Sequence, residues 1–480
     1  MRAAGRSHRA AALVSALVLG SAVWGAAPAQ ANGCIAPAAG TAADPYLIST
    51  ASNLNCLKGN PSYWTGGKYF RQTNDIDLTG FPWIHGIGDH ATAFDGHYDG
   101  GGFAITNLSI MAPASNPEGE NIGLFGQTDG SSITDTNVAG QISGKDKVGG
   151  LIGRAMNTTV TRSTADVAIL GLNALQPYHG GLIGYANNVT VTDASTQVAI
   201  GISLGGGLTF VGGLIGAAIS TEVARSRTAG TINGSSAVGG LIGLMIDGNV
   251  SESFATSTVT SNDQRGGLIG YRDESAVVRD VFARGSVTGP LAESGGLIGF
   301  DTATGGLGSQ TRAYSTGRVS GSENVGGFIG LAGSAIPWTA SFWDTQTSGQ
   351  TSAESSGVVT GVTGLATSAM TDIATYRAAG WNIGGWAASG TTWGICAGVN
   401  DGYPYLQAFY ASNPCDDGPT PPPWPQAYAR GSGDTCLPGW NPSWAEWPNG
   451  NTGGFVCQRT LVYNRSTGQW DARRLVHARI

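Results

Sequence analysis

Between residues 75 and 99 the chain crowds five aspartates, Asp75, Asp77, Asp89, Asp95 and Asp99, around three histidines, His85, His90 and His97. Paired carboxylates are the working parts of polysaccharide-cleaving enzymes, one donating and one accepting a proton. Imidazoles interleaved with carboxylates, Asp89 among them, can hold a divalent metal. A plainer reading competes with both: Gly86, Gly88, Gly96 and Gly100–Gly102 share the stretch, and short polar side chains among glycines serve turns. No metal and no cofactor is assigned on this pattern. A second pattern, GISLG over Gly201–Gly205, matches the serine-nucleophile elbow. It lies in a loop insertion rather than a strand–turn–helix, and the only later histidine is His477, so Ser203 is not read as a nucleophile. A third cluster, Trp440, Trp444 and Trp447 between Cys436 and Cys457, suits sugar binding, because an exposed indole stacks on a sugar ring while its polar neighbours bond hydroxyls.

These residues must be positioned by something, and the chain announces it by repetition. VGGLIG occurs unchanged at Val148–Gly153, Val211–Gly216 and Val238–Gly243, with variants from Asn121–Gly126 to Val325–Gly330. The equivalent positions Leu124, Leu151, Leu182, Leu214, Leu241, Leu268, Leu297 and Phe328 are 27, 31, 32, 27, 27, 29 and 31 residues apart. Such a period indicates a solenoid. Behind each phrase small or β-branched residues alternate with polar or bulky ones, as in Ser163-Ala165-Val167-Ile169 and Ser253-Ala255-Ser257-Val259. Period two is the mark of a strand with one buried face. An apolar residue upstream of each set (Val160, Val191, Val223, Val250, Val278) breaks the parity, which predicts a bend and a separate short strand.

The expected fold is therefore all-β: a right-handed parallel β-helix of roughly three short strands per coil, each pairing with its equivalent one coil along. At about 4.8 Å per coil, eight rungs span on the order of 40 Å. Glycines flanking Leu-Ile would supply positive φ or close backbone approach at a corner. The extra residues of the longer repeats, Gly171–His179 and Gly201–Phe210, should leave the same corner. Adjacent Leu and Ile pose a question of parity. In a regular strand one would face out and build an aliphatic contact stripe, whereas a bend would turn both inward.

The Gly-Leu-aliphatic-Gly phrase, with DPYLIST (Asp44–Thr50), TNDIDLTG (Thr73–Gly80), FDGHYDGGGFAITNLSI (Phe94–Ile110), SFWDTQTSGQ (Ser341–Gln350) and GYPYL (Gly402–Leu406), resembles the GLUG-motif repeat proteins. That family occurs in bacterial surface adhesins and beside immunoglobulin A peptidases. The resemblance covers roughly Asp44–Leu406 and implies a bacterial extracellular protein without fixing one activity. A metallopeptidase of that setting would need an H-E-x-x-H zinc helix, and no His here precedes a Glu.

The ends differ from the middle. Residues 1–31 read as a signal peptide: Arg2, Arg6 and Arg9, the apolar run Ala10–Val18, then Ala29-Gln30-Ala31 before the cut. Losing three arginines takes the net charge from −7 to −10 and argues against a nucleic-acid partner. No second apolar run is long enough to span a bilayer, so the mature chain is expected to be exported, soluble and monomeric. Nor does a cell-wall sorting motif close the chain, so any surface attachment would be non-covalent. Residues 32–120 read as an N-terminal cap with entry coils, 121–330 as the repeat helix and 331–415 as a Trp-rich C-terminal cap. Beyond lie a proline-rich linker at 416–425 and a small Cys/Trp module at 426–480. Six cysteines allow 15 pairings. Neighbours are favoured, Cys34–Cys56, Cys396–Cys415 and Cys436–Cys457, because each ties a short segment near a chain end.

The function this supports is a secreted, non-enzymatic, adhesin-like surface or matrix binding protein with a possible sugar- or cell-wall-binding C-terminal module. Its partner would be a glycan or a cell-surface protein. A polysaccharide lyase or hydrolase is the alternative, with a purely structural scaffold as the third reading.

Overall fold

The computed structural model describes residues 34–111, 121–171, 177–202, 209–273, 275–291, 293–302, 310–386 and 390–415, and beyond these the backbone of five short strands. Parallel strands dominate, and each pairs with its equivalent in the next coil. Thr164–Gly171, for example, runs beside Ser195–Ile202 with Val167 opposite Val198 and Ile169 opposite Ile200. The chain is a parallel β-helix. Eight of its short strands stack as one sheet, and the remaining sides of the coils join in a second assembly of 26 strands.

A coil has four sides rather than three. In the second repeat they are Lys147–Gly149, Ile152–Met156, Thr159–Thr161 and Thr164–Gly171. The extra corner lies within the repeated phrase itself. Val148 and Gly149 close one strand, Gly150 and Leu151 make the bend, and Ile152 opens the next. The backbone N–H groups of Leu151 and Ile152 both donate to the Leu182 carbonyl, each at 3.0 Å. Successive N–H groups aimed at one acceptor mean that the alternation of a strand is interrupted. Both side chains consequently point inward: Leu151, Ile152, Leu214 and Ile215 are all fully buried. The glycines act by close approach. Neither Gly149 nor Gly153 has positive φ, but a Cβ on Gly149 would lie 2.1 Å from the Ile152 carbonyl oxygen and one on Gly153 2.4 Å from the Ile122 nitrogen.

Two other corners use the left-handed backbone region mostly without glycine, Gly130 being the exception in the first repeat. Asp135, Arg162, Asp193, Arg225, Glu252, Asp280 and Arg312 recur at one corner with φ between 45° and 56°. Asn157, Asn188, Ser220 and Asp247 recur at another, φ 44° to 56°. Asp and Asn tolerate this conformation well, and Arg does so less readily. At the first corner the arginines gain partners one coil away. Arg162 makes a two-pronged contact to Asp135 (2.7 and 2.6 Å), and Arg225 does the same with Asp193 (2.7 and 3.0 Å).

Both ends of the helix are covered, as a solenoid requires. At the N-terminal end, the helix Ala51–Gly59 is capped by Thr50, whose hydroxyl accepts the Asn53 N–H at 3.2 Å. It buries Leu54 and Leu57 over the first coil. At the other end the strand Ile329–Asp344 pairs with Ser356–Leu365, and Trp338 packs edge-on against Phe328 at 4.9 Å. The chain then turns back along the outside of the solenoid. The helices Thr367–Met370 and Ile373–Ala378 and the antiparallel pair Trp393–Gly394 with Tyr405–Leu406 bury Trp381 and Trp393 against Phe282, Tyr314 and Phe342, a second core separate from the interior.

Disulfides join Cys34 to Cys56 and Cys396 to Cys415. Cys436 lies outside the described residues. Cys457 lies on the strand Gly454–Gln458, which pairs antiparallel with Tyr428–Ala429 and Asn441–Ala445. Residues 1–31, expected to be a signal peptide, and 416–425, expected to be a linker, also fall outside the described residues. No helix among those described is long and apolar enough to cross a membrane.

Candidate functional site

The N-terminal aspartates are occupied by their own backbone. Asp75 accepts the Ala104 N–H at 2.9 Å, and Asp95 accepts Gly66 N–H at 3.0 Å and Gly67 N–H at 2.9 Å. Asp99 accepts Gly101 N–H at 2.9 Å and pairs with Arg71 at 3.2 Å. Asp77 takes the Asn107 amide at 2.8 Å and the Thr79 hydroxyl and N–H at 2.7 and 2.8 Å. These bonds, that from Asn107 first, hold its carboxyl below the usual carboxylate range. Asp75 and Asp77 do face the same way, with buried Ile76 between them. His97 stacks on Tyr69, ring centroids 4.2 Å apart, His85 contacts the Gly86 carbonyl through Nδ1 at 3.2 Å, and His90 is exposed. Among the described residues no group of His, Cys, Asp or Glu is placed to hold a metal ion.

Trp440 and Trp447, like Ser203 and His477, lie outside the described residues, and Trp444 is described only as backbone on the strand Asn441–Ala445.

A surface that the sequence reading did not single out lies beside the repeated phrase. The residue before Val-Gly-Gly and the residue after Leu-Ile-Gly form two columns beside the phrase, half-buried at the aromatic positions and buried where Ala217, Ala237 and Leu244 stand. In register, one runs Lys147, Tyr178, Phe210. The other runs Arg154, Tyr185, Ala217, Leu244, Tyr271, Phe300, Leu331. Tyr178 stacks on Phe210 (5.2 Å, 11°) and meets Tyr185 edge-on at 5.4 Å. Lys147 caps Tyr178 at 5.7 Å and Arg154 caps Tyr185 at 5.9 Å. Further along, Tyr271 stacks on Phe300 (5.2 Å, 12°). All of these rings and both cations are half-buried. Lys147 also pairs with Asp146, whereas the Arg154 Nε is buried with no hydrogen-bond partner among the described residues. Burial pushes the Tyr178 hydroxyl up.

The fold creates this stripe by the bend at Leu151. With Leu and Ile turned inward, the outward aliphatic stripe does not form, and the flanking positions carry the exposed surface instead. The strands that precede the two insertions end at Gly171 and Ile202, and the next strands begin at Tyr178 and Phe210, in the first column. The signal was present in the sequence as large aromatic or cationic residues immediately outside several copies of the phrase.

Fold and stripe together define a repeat solenoid with an extended lateral surface. No family model matches the chain. Over 92 residues it is 39% identical to a "Putative Gly-rich membrane protein" of Evansella cellulosilytica, a match covering 18% of this chain and 10% of that protein. Over 164 residues it is 32% identical to Halomucin of Haloquadratum walsbyi, covering 27% of this chain and 2% of that protein. These matches span a tenth or less of either relative. Among solved structures a "putative immunoglobulin A1 protease" of Bacteroides ovatus aligns at TM-score 0.40 and 14% identity, over 77% of this chain and 94% of that one.

Proposed function

We propose that this chain is a secreted, non-enzymatic surface or matrix binding protein of the GLUG-repeat type, which presents one long face of its solenoid to a glycan or cell-surface protein. The observation that carries this reading is two half-buried aromatic groups on that face, Tyr178, Tyr185 and Phe210 with Lys147 and Arg154 beside them, and further along Tyr271 with Phe300. Aromatic rings and arginine are the residues enriched where binding energy concentrates, and a rigid backbone lowers the ordering cost of engaging them. Two disulfides fit an oxidising, extracytoplasmic setting. The Asp75, Asp77, Asp95 and Asp99 carboxylates each accept hydrogen bonds from the chain's own backbone, which favours binding over polysaccharide cleavage as the main activity. The Trp440, Trp444 and Trp447 module would add sugar or cell-wall affinity.

Co-sedimentation with bacterial cell walls, extracellular matrix and insoluble polysaccharides tests this, with the supernatant assayed for released sugar. The full chain should pellet without releasing sugar. Tyr185→Ala combined with Arg154→Ala should weaken pelleting, and a chain ending at Cys415 should retain the part due to the solenoid. Sugar release, or pelleting indifferent to both changes, would overturn the proposal.

A further inference from the structure

Aromatic stacks leave a free face at each end, and one such face on this molecule opens into a polar groove. On the outer column of the strands that follow the left-handed corner, Phe254, Phe282 and Tyr314 stack one coil apart, at 4.5 Å and 6° and then 5.0 Å and 5°. The C-terminal layer covers the Tyr314 end, with Trp381 and Tyr403 against its ring. In that layer Phe409 meets Phe254 edge-on at 4.8 Å and lies under the Arg227 guanidinium at 5.5 Å. One coil further toward the N-terminus the column changes to Arg227, then Ser195, then Thr164. A groove of about 420 Å³ opens there, walled by Phe254 and floored by Thr164, Asp166, Ser195, Gln197 and Arg227.

Asp166, Gln197 and Arg227 are exposed and donate or accept no side-chain hydrogen bond among the described residues, and Asp166 and Gln197 sit directly opposite each other in register. The groove thus offers an acceptor-only carboxylate, a donor-only guanidinium, and an amide and hydroxyl that do both. One negative and one positive charge balance. Hydroxyl groups, which both donate and accept, match this set better than a multiply charged ligand does. An apolar ring face beside such polar groups is the arrangement that holds the C–H face of a pyranose.

We infer that this groove is a binding subsite for a neutral oligosaccharide, one pyranose stacking on the free face of Phe254 while Asp166, Gln197 and Arg227 take its hydroxyls. The inference deepens the binding role proposed above and rests on it only for biological setting, because the groove and the Tyr178/Tyr185 stripe are different surfaces.

Titration of the full chain with cellohexaose, maltohexaose and chitohexaose, followed by calorimetry and saturation-transfer NMR, provides the test. At least one probe should bind, and Asp166→Ala/Gln197→Ala should bind it about tenfold or more weakly with an unchanged circular dichroism spectrum. Phe254→Leu, which keeps apolar packing on Phe282 and removes the π face, should weaken it likewise. Failure of all three probes to bind, or unchanged affinity in either variant, overturns the assignment. Pelleting on cell walls with no oligosaccharide binding would remove the groove and leave the surface-binding role standing. Oligosaccharide binding without pelleting would do the reverse.

Discussion

His179 occupies a place built for valine. In the short-strand sheet it stands in register between Val148 and Val211, and like both it is fully buried. Neither ring nitrogen has a hydrogen-bond partner among the described residues. Burial drives the imidazole pKa from 6.5 down to about 4, and the nearby Gly144 backbone offsets this only in part. A lowered histidine pKa favours the neutral ring in the fold, so the unfolded chain takes up a proton first as pH falls. The cost is absent above pH 6.5 and grows as pH drops from there toward 4. With one pKa unit equal to about 1.36 kcal/mol, the fold should lose about 2.5 kcal/mol by pH 4.5 that it keeps at pH 7.5. His179→Val removes the titrating group and restores the residue its neighbours carry. Urea unfolding of both proteins at pH 7.5 and 4.5 should show the variant's advantage growing by about 2.5 kcal/mol at the lower pH. The same difference at both pH values, or an NMR titration placing the His179 pKa near 6.5, would refute the reasoning.

Three further outcomes can be measured in the same way. Glu293, whose carboxyl is pushed up to about 7 first by burial and then by Asp263, favours its protonated form in the fold. Its stabilisation is present at low pH and is lost as pH rises from about 4.5 through 7, so Glu293→Gln should flatten that part of the stability profile while leaving the His179 effect intact. The interior pair Arg272 and Asp301, fully buried at 2.6 Å, stands in a ladder where earlier coils hold Ala155, Ala186, Ala218 and Met245. Arg272→Met should cost about 3–5 kcal/mol by stranding a buried carboxylate, and adding Asp301→Ala should recover most of it. Gly149→Ala, which forces a Cβ to 2.1 Å from the Ile152 carbonyl oxygen, should destabilise by about 2 kcal/mol or more, while Gly59→Ala, with nothing within 4 Å of its new Cβ, should be neutral or slightly stabilising.

The repeat itself was readable because a solenoid buries the same positions in every coil. The recurrence of Leu124 through Phe328 every 27 to 32 residues and the period-two sets behind them therefore leave few other folds open. The bend after each apolar residue such as Val160 was readable too, since it breaks parity: the strand Thr159–Thr161 ends there and Arg162 turns in the left-handed region. The number of sides was misjudged. Length divided by three ignores a corner that two consecutive glycines can make inside a six-residue phrase. Two cysteine pairs joined as neighbours, because short loops at the chain ends keep them close.

Other features depended on contacts that no local pattern encodes. Whether Leu151 and Ile152 face opposite ways or both inward is decided by a single carbonyl of the next coil, which accepts two successive N–H groups. That choice moves the exposed surface from the phrase to its flanks and so creates the Tyr178 and Tyr185 stripe. Asp75 and Asp95 resemble catalytic carboxylates until Ala104, Gly66 and Gly67, 28 or 29 residues away, are seen to occupy them. The tryptophans after residue 330 announced a covering layer, but only packing placed Trp393 against Phe282, leaving Phe254 as the open end of a stack. The sequence by itself thus determined the coil, because burial recurring at a fixed period is a local property of the chain. Tertiary structure alone decided which side chains remain free to bind, because their freedom depends on partners brought near from other coils.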